Sequence, residues 1–146
     1  MRRVTILNAD IFSESVRCVS IGRLSPDMVS FIISIKPELK DILQSDKDII
    51  FWADRIEHTE LHRNDFMSDV EYDNCFADIP KIIAEPDYIS VHPKDKSISF
   101  IKNYSGHVSV AVRIAPNGNM AYRTMYPITD AQLSHYIAKG FAWKYK

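Results

Sequence analysis

Two histidines stand four residues apart in His58-Thr59-Glu60-Leu61-His62. On a helix, positions i and i+4 share a face, which is the spacing a zinc pair needs. The intervening acid, Glu60, is not in the place that the HExxH pattern of zinc peptidases gives it. No cluster elsewhere clearly supplies a third ligand, so no metal is expected. Two histidines on one face can instead divide the roles of base and acid near neutral pH. The plain alternative is that one or both cap or pack. His107, opening a strand beside Gly106, is a lesser candidate, and His92 and His135 carry no assignment.

A second group lies in the C-terminal part. His107, Val108, Ser109, Val110, Ala111, Val112, Arg113 and Ile114 alternate polar and apolar, the period-two pattern of a half-buried strand. Alternation turns Arg113 away from the valine face. In the next strand it places Tyr122, Thr124 and Tyr126 on one side, with Ala121, Arg123 and Met125 on the other. Lys102 ends a neighbouring strand, and twist can bring its amine to the same rim. A cation, hydroxyls and aromatic rings on one sheet face can hold a phosphate and stack a base. The competing reading is an ordinary solvated sheet face.

The elements that must position these groups are legible in outline. Val4 to Leu7 reads as a short strand. Ser25-Pro26-Asp27 marks a helix start, with a Ser cap, proline at the first helical position and an acid against the dipole. Glu38 to Gln44 adds a helical turn or two, and Asp48 to Trp52 is a short buried strand or extended stretch. Asp54 with Glu57 looks like a capping-box variant opening a helix from Arg55 to about Phe66. Asp69 to Asp73 reads as an acidic loop, and Ala77 to Ala84 as a short helix ending before Pro86. Strands then follow at Asp87 to Val91, Ser97 to Tyr104, His107 to Ala115 and Met120 to Ile128. They are separated by turns at Pro93-Lys94-Asp95-Lys96, Ser105-Gly106 and Pro116-Asn117-Gly118-Asn119. Thr129-Asp130 caps a last helix that stops at Gly140. The expected fold is α+β: N-terminal helices, a four-stranded antiparallel sheet and a C-terminal helix, in one domain over residues 1–146.

Charge is divided unevenly. Residues 88–146 hold eight Lys/Arg against only Asp95 and Asp130, a net +6. Residues 1–87 hold ten bases and seventeen acids, a net −7, and the whole chain is −1. The basic half suits a phosphate-bearing partner. The composition, 46% hydrophobic and 25% charged, is that of a soluble globular protein. No apolar run reaches the ~20 residues needed to span a bilayer, and Met1 to Leu7 lacks the apolar stretch of an export signal. Cys18 and Cys75 read as reduced structural thiols, so a cytoplasmic location is expected. The absence of a P-loop, GxGxxG, paired CxxC or GxSxG sets aside the common NTPase, dinucleotide, redox and serine-hydrolase readings.

Several stretches together resemble a known family. They are Ile21-Gly22-Arg23-Leu24-Ser25, Arg55 to Arg63 with its paired histidines, and Ile79-Pro80-Lys81-Ile82-Ile83-Ala84-Glu85-Pro86-Asp87-Tyr88-Ile89. Ser97 to Lys102 and Arg123-Thr124-Met125-Tyr126-Pro127-Ile128 complete the set. Over about residues 20–130 the chain is similar to the phage-associated domains of the barnase–EndoU–colicin–RelE-like nuclease superfamily. The resemblance implies a metal-independent ribonuclease, often toxin-like and carried on phages and mobile elements, that needs no cofactor. It implies His62 as general acid or base with His58 as partner or orienter. Lys102 and Arg113 would bind the scissile phosphate, and Arg123, Thr124, Tyr126 and Tyr122 would complete the substrate pocket. RNA, such as tRNA or another structured RNA, is the implied partner. An antitoxin or immunity protein is a further one, and the acidic N-terminal half is a docking side for such a protein, for a ribosomal partner or for another copy of the chain.

The leading expectation is thus an endoribonuclease that cleaves by 2′-OH attack. The alternative is a catalytically inactive nucleic-acid- or protein-binding module of the same fold. A third reading, an interaction protein with no nucleic-acid role, requires the Lys102 and Arg113 surface to be covered or neutralised by N-terminal acids.

Overall fold

A computed structural model describes residues 1–92 and 96–145. Seven strands form one mixed sheet: β1 (Cys18–Ser20), β2 (Ile49–Trp52), β3 (Tyr88–Val91), β4 (Ser97–Asn103), β5 (His107–Ile114), β6 (Met120–Ile128) and β7 (Ala142–Lys144). Their order is β1-β2-β6-β5-β4-β3-β7. The expected α+β class holds, and the antiparallel meander β3-β4-β5-β6 is at its heart. The sheet is nevertheless wider than four strands and not wholly antiparallel. β2 joins β6 in parallel through Ile49↔Met120 and Ile50↔Ala121, and β1 and β7 extend the two margins. Strands of three residues, like β1 and β7, are too short to display an alternation, so periodicity does not reveal them.

The valine face behaves as its pattern dictates. Val108, Val110, Val112 and Ile114 are buried together with Ile49, Phe51, Ile98 and Phe100. Helices α1 (Pro26–Ile35), α2 (Arg55–Glu60), α3 (Asp69–Ala77) and α4 (Ile79–Ala84) complete this core, with Met28, Ile32, Tyr72, Ile79, Ile82 and Ile83 as the inserted side chains. Ser25 caps α1 by accepting from the Met28 amide, with Pro26 at the first position. Helix α5 (Asp130–Ala138) packs on the opposite sheet face through Leu133 and Tyr136, against Ile101, Ile128 and Ala142. It opens with a complete capping box between Thr129 and Gln132.

Four local expectations are corrected. Val4 to Leu7 is not a strand: backbone bonds tie Arg2 and Val4 to Ser20, while Leu7 anchors in the core. Asp54 sits in the right-handed helical region and makes no side-chain cap. The helix it precedes ends at Glu60, and a separate 3-10 turn covers Arg63–Asp65. Asp69 to Asp73 is helix rather than loop. Ser68 caps α3 by accepting from the Glu71 amide, so Asp69 and Glu71 lie against the positive end of the dipole. The turn expected at Pro93-Lys94-Asp95-Lys96 falls largely outside the described residues.

The fourth correction matters most for function. The β5–β6 register shifts between Ala111 and Val112: Ala111 pairs with Thr124, but Val112 pairs with Tyr122. Arg123 is the extra residue of this bulge. Tyr122 therefore turns into the core with Val112, and Met125 joins Val110. Thr124 and Tyr126 stay on the opposite face with Ala111 and Ser109. The inserted residue breaks the strict alternation that the sequence displays.

The hairpin tip is pinned by Gly118, whose φ is +88° and whose absent Cβ would meet the Ile42 carbonyl oxygen at 2.5 Å. The N-terminal segment is held by Asp48, which accepts from Ser20 Oγ at 2.8 Å, Arg23 Nε at 3.1 Å and Arg3 Nη2 at 3.3 Å. The Arg23 contact leads in holding its carboxyl down to about 2, below the usual carboxylate range. Because the folded value is depressed, this stabilisation is fully present above the unfolded pKa near 3.8 and is lost as pH falls through about 2. Asp48→Asn is expected to cost about 1 kcal/mol at pH 7, as a solvent-screened cluster would. The deficit should close below about pH 2, as followed by denaturant midpoints across pH. A deficit independent of pH would show that packing, not charge, holds the segment.

Among the described residues Cys18 and Cys75 are free, and burial pushes the Cys75 thiol up to about 12, as expected of an inert structural cysteine. No helix among the described residues is long and apolar enough to cross a membrane.

Candidate active site

Helix α2 lies along the part of β6 that β2 leaves unpaired. The Arg55 guanidinium donates through Nε (2.9 Å) and Nη2 to the carbonyl of bulge residue Arg123. Thr59 Oγ1 donates to the Arg55 carbonyl, so Tyr122 OH must be the donor in its 2.7 Å bond to Thr59 Oγ1. These contacts fix α2 on β6 and set the position of both histidines. His58 projects from the last turn of α2. His62 follows the helix end, immediately before the 3-10 turn. Their rings lie 6.4 Å apart, and the His62 ring is 5.8 Å from that of Tyr126.

Arg63 positions this segment. It forms ion pairs with Glu60 (2.7 Å), Asp69 (3.2 Å) and Asp73 (3.2 Å), and its guanidinium carbon lies 4.2 Å from the centre of the Tyr72 ring. The charge of Arg63 is thus turned toward α3 and away from the histidines. His62 is oriented by Asp65, whose Oδ2 accepts from Nδ1 at 3.1 Å. With the proton on Nδ1, the lone pair of a neutral His62 resides on Nε2, the nitrogen that can act as a base.

His62 lines a cavity of about 550 Å3 whose wall also contains His107, Tyr126, Glu71 and Thr129. His107 enters from β5 and donates through Nε2 to Asp130 Oδ1 at 2.7 Å, while its Nδ1 is buried with no partner among the described residues. The Asp130 side chain is 93% exposed, so little besides His107 holds it. Burial raises the Tyr126 phenol above its ordinary pKa against an opposing hydrogen bond from Ser109, which keeps it a neutral donor. On the rim stands His58. Its pKa is lowered, first by desolvation and then by Arg55, His62 and Arg123. Arg55 and Arg123 thus bring positive charge near His58.

The expected site residues divide into two sets. His62 and Tyr126 line the cavity, with His58 beside His62 and Arg123 near His58. Tyr122 does not: it is buried, stacks on Phe51 at 4.5 Å and anchors α2. Thr124 faces the sheet side that carries Tyr126, with Oγ1 buried and unpartnered among the described residues. Lys102 and Arg113 do not converge. Lys102 pairs with Val108 on the core face and donates to the Glu85 carbonyl at 2.7 Å. Arg113 pairs with Ser97 on the opposite face, at the other end of β5, and lines a different cavity. Local twist does not bridge that separation.

Sequence reasoning passed over Arg55 and Asp65 and placed His107 low. For His107 a signal was present, since strand alternation sets it on the face of Tyr126. For Arg55 only the bulge, which aims the Arg123 carbonyl outward, reveals the role. Among the described residues no three His, Cys, Asp or Glu side chains are grouped as a metal site would require.

Comparison with known proteins adds one finding. A family described as phage-Barnase-EndoU-ColicinE5/D-RelE like nuclease3 matches residues 30–135, a span that includes both histidines, the bulge and the cavity. No curated protein and no solved structure gives a significant match.

Proposed function

The chain belongs to the phage-Barnase-EndoU-ColicinE5/D-RelE like nuclease family, and we propose that within it the protein is an endoribonuclease that cleaves by 2′-OH attack without needing a metal. The observation that carries this reading is the pair of carboxylate-held histidines, His62 and His107, lining one cavity.

The chemistry follows from the atoms. His62 Nε2 accepts the proton of the 2′-OH as that oxygen bonds to the adjacent phosphorus. The P–O5′ bond breaks, and the departing oxygen takes a proton from Nε2 of protonated His107. The products are a 2′,3′-cyclic phosphate and a 5′-OH, with no net consumption of protons. Asp65 keeps Nε2 of His62 turned to the substrate, as an orienting carboxylate does in other base–acid pairs. Asp130 holds His107 in the free protein, and an arriving phosphate would displace it at the N-terminal end of α5. Arg55 and Arg123, with His58 beside them, supply the positive potential that balances charge developing on the phosphate. They stand where Lys102 and Arg113 were expected.

Incubation with RNA in EDTA, beside the same sequence as 2′-deoxy oligonucleotide, tests the reading. Cleavage that survives chelation, leaves cyclic phosphate ends and spares the deoxy strand is the expected result. Loss of activity on chelation, or equal cutting of both strands, would replace it with a metal-assisted or hydrolytic mechanism. Binding of RNA with no cleavage at all would point to an inactive binding module.

A further inference from the structure

Arg113 lines a cavity of about 550 Å3 on the α5 side of the sheet, at the end of β5 and β6 remote from His107. Trp52 forms part of the same wall and is 48% exposed. A tryptophan half open to solvent is unusual on its own account, since burying it would stabilise the fold. The Arg113 side chain is exposed and has no hydrogen-bond or ion-pair partner among the described residues. Asp46 and Asp48 from the N-terminal half share the cavity wall, but neither forms an ion pair with Arg113 among the described residues.

The charged groups around the cavity leave Arg113 available to a ligand. Lys47 lines the cavity too, held by the Asn117 carbonyl (2.9 Å) and Asn119 Oδ1 (3.2 Å). Of the two lining acids, Asp48 is already engaged by Arg3 and Arg23. The lining thus holds two cations, Lys47 and Arg113, and two carboxylates, of which Asp48 is neutralised by Arg3 and Arg23 outside the wall. An open indole beside an unpaired guanidinium is the combination that stacks a nucleobase and holds its phosphate.

The cavity is also in line with the catalytic one. Strand β6 runs from Met120 and Ala121 at the first to Tyr126 and Pro127 at the second. At about 3.3 Å per residue the separation is on the order of 15 Å, a reach of several nucleotides. Between them the bulge places exposed Arg123 beside His58.

We propose that the Trp52–Arg113 cavity is a binding subsite for single-stranded nucleic acid. One base stacks on Trp52, its phosphate pairs with Arg113, and the strand continues along β6 to the His62 cavity. The proposal rests on the nuclease reading for its ligand class but not for its test.

The probe is a 2′-deoxy hexanucleotide, which the proposed mechanism cannot cut. Its binding should quench Trp52 fluorescence. Arg113→Gln should weaken it about tenfold and reduce the slope of log K against log salt by about 0.7, the share of one phosphate contact on a single strand. Trp52→Ala should weaken binding by a similar factor, and any quench left would belong to Trp143. Arg113 is exposed, so the Gln variant tests the site even if Trp52→Ala destabilises the fold. On RNA, Arg113→Gln should raise KM for long strands and leave dinucleotide cleavage unchanged. Hexanucleotide binding equal in wild type and Arg113→Gln would overturn the subsite, whatever the protein cleaves. Weakened binding by Arg113→Gln in a protein that cuts nothing would uphold the subsite and reject the nuclease mechanism.

Discussion

Replacing His62 with alanine is expected to slow RNA cleavage by about 10²–10⁴-fold, some 3–5 kcal/mol of transition-state stabilisation. The loss should fall on kcat rather than KM, because a proton acceptor for the 2′-OH acts as the new bond forms and contributes little to holding the ground state. His107→Ala should cost a comparable factor. The double variant should be much less active than either, but by less than the product of the two losses, since base and acid act on one step. Asp65→Asn tests the orienting role. The amide no longer enforces one tautomer, since its NH2 can donate to Nδ1 as readily as its oxygen accepts from it. It also lacks the charge that favours the imidazolium, so cleavage should drop while substrate binding persists. If His62→Ala retains the wild-type rate, the acid–base assignment is wrong and the cavity binds without reacting. Partial rescue of His62→Ala by free imidazole would separate lost chemistry from a lost fold.

The largest expected effect on stability belongs to Phe51. Its side chain is fully buried, stacks on Tyr122 at 4.5 Å and meets Phe76 edge-on at 5.9 Å, with Phe12 at 5.8 Å. Truncation to alanine removes a large apolar group from a site walled by three rings from distant segments, none of which can collapse into the space. The expected cost is about 3–5 kcal/mol, seen as a fall of the thermal midpoint on the order of 10 °C for a chain of this size. Phe51→Leu should lose clearly less, because most of the volume remains. A near-neutral Phe51→Ala would mean that the β2–β6 junction relaxes more than its packing suggests. Since Tyr122 also anchors α2 through Thr59, activity should fall alongside stability in Phe51→Ala.

The comparison of sequence with structure turns on particular residues. Val108, Val110, Val112 and Ile114 announced a strand and its core face, because an eight-residue alternation has one physical meaning. Ser25-Pro26 and Thr129-Asp130 announced helix starts through capping chemistry that acts within four residues. The bulge left no such mark: Arg123 is an ordinary strand residue locally, and only the pairing with β5 makes it extra. Tyr122 and Ala121, which precede it, therefore lie on the faces opposite to those expected, while Met125 keeps the core face it was given. The His58–His62 pair was legible as a constellation, but the helix that seemed to carry both ends between them. What brings His62 to His107 is the docking of α2 on β6, a contact between segments more than forty residues apart. Local patterns cannot encode it, and the same holds for the separation of Lys102 from Arg113.

The strand order also has a kinetic meaning. β3, β4, β5 and β6 lie only a few residues apart in sequence, so their pairing requires little loop closure. Ile49 and Met120 are 71 positions apart, and their parallel pairing must close that whole span. The meander is thus the favoured early structure, with the β1–β2 ribbon added to a template already present. Because α2 follows β2 directly, His58 and His62 reach β6 only with that late addition. A chain that has built its sheet centre still lacks the juxtaposition of His62 with His107, so the activity proposed for that pair is withheld until folding is essentially finished.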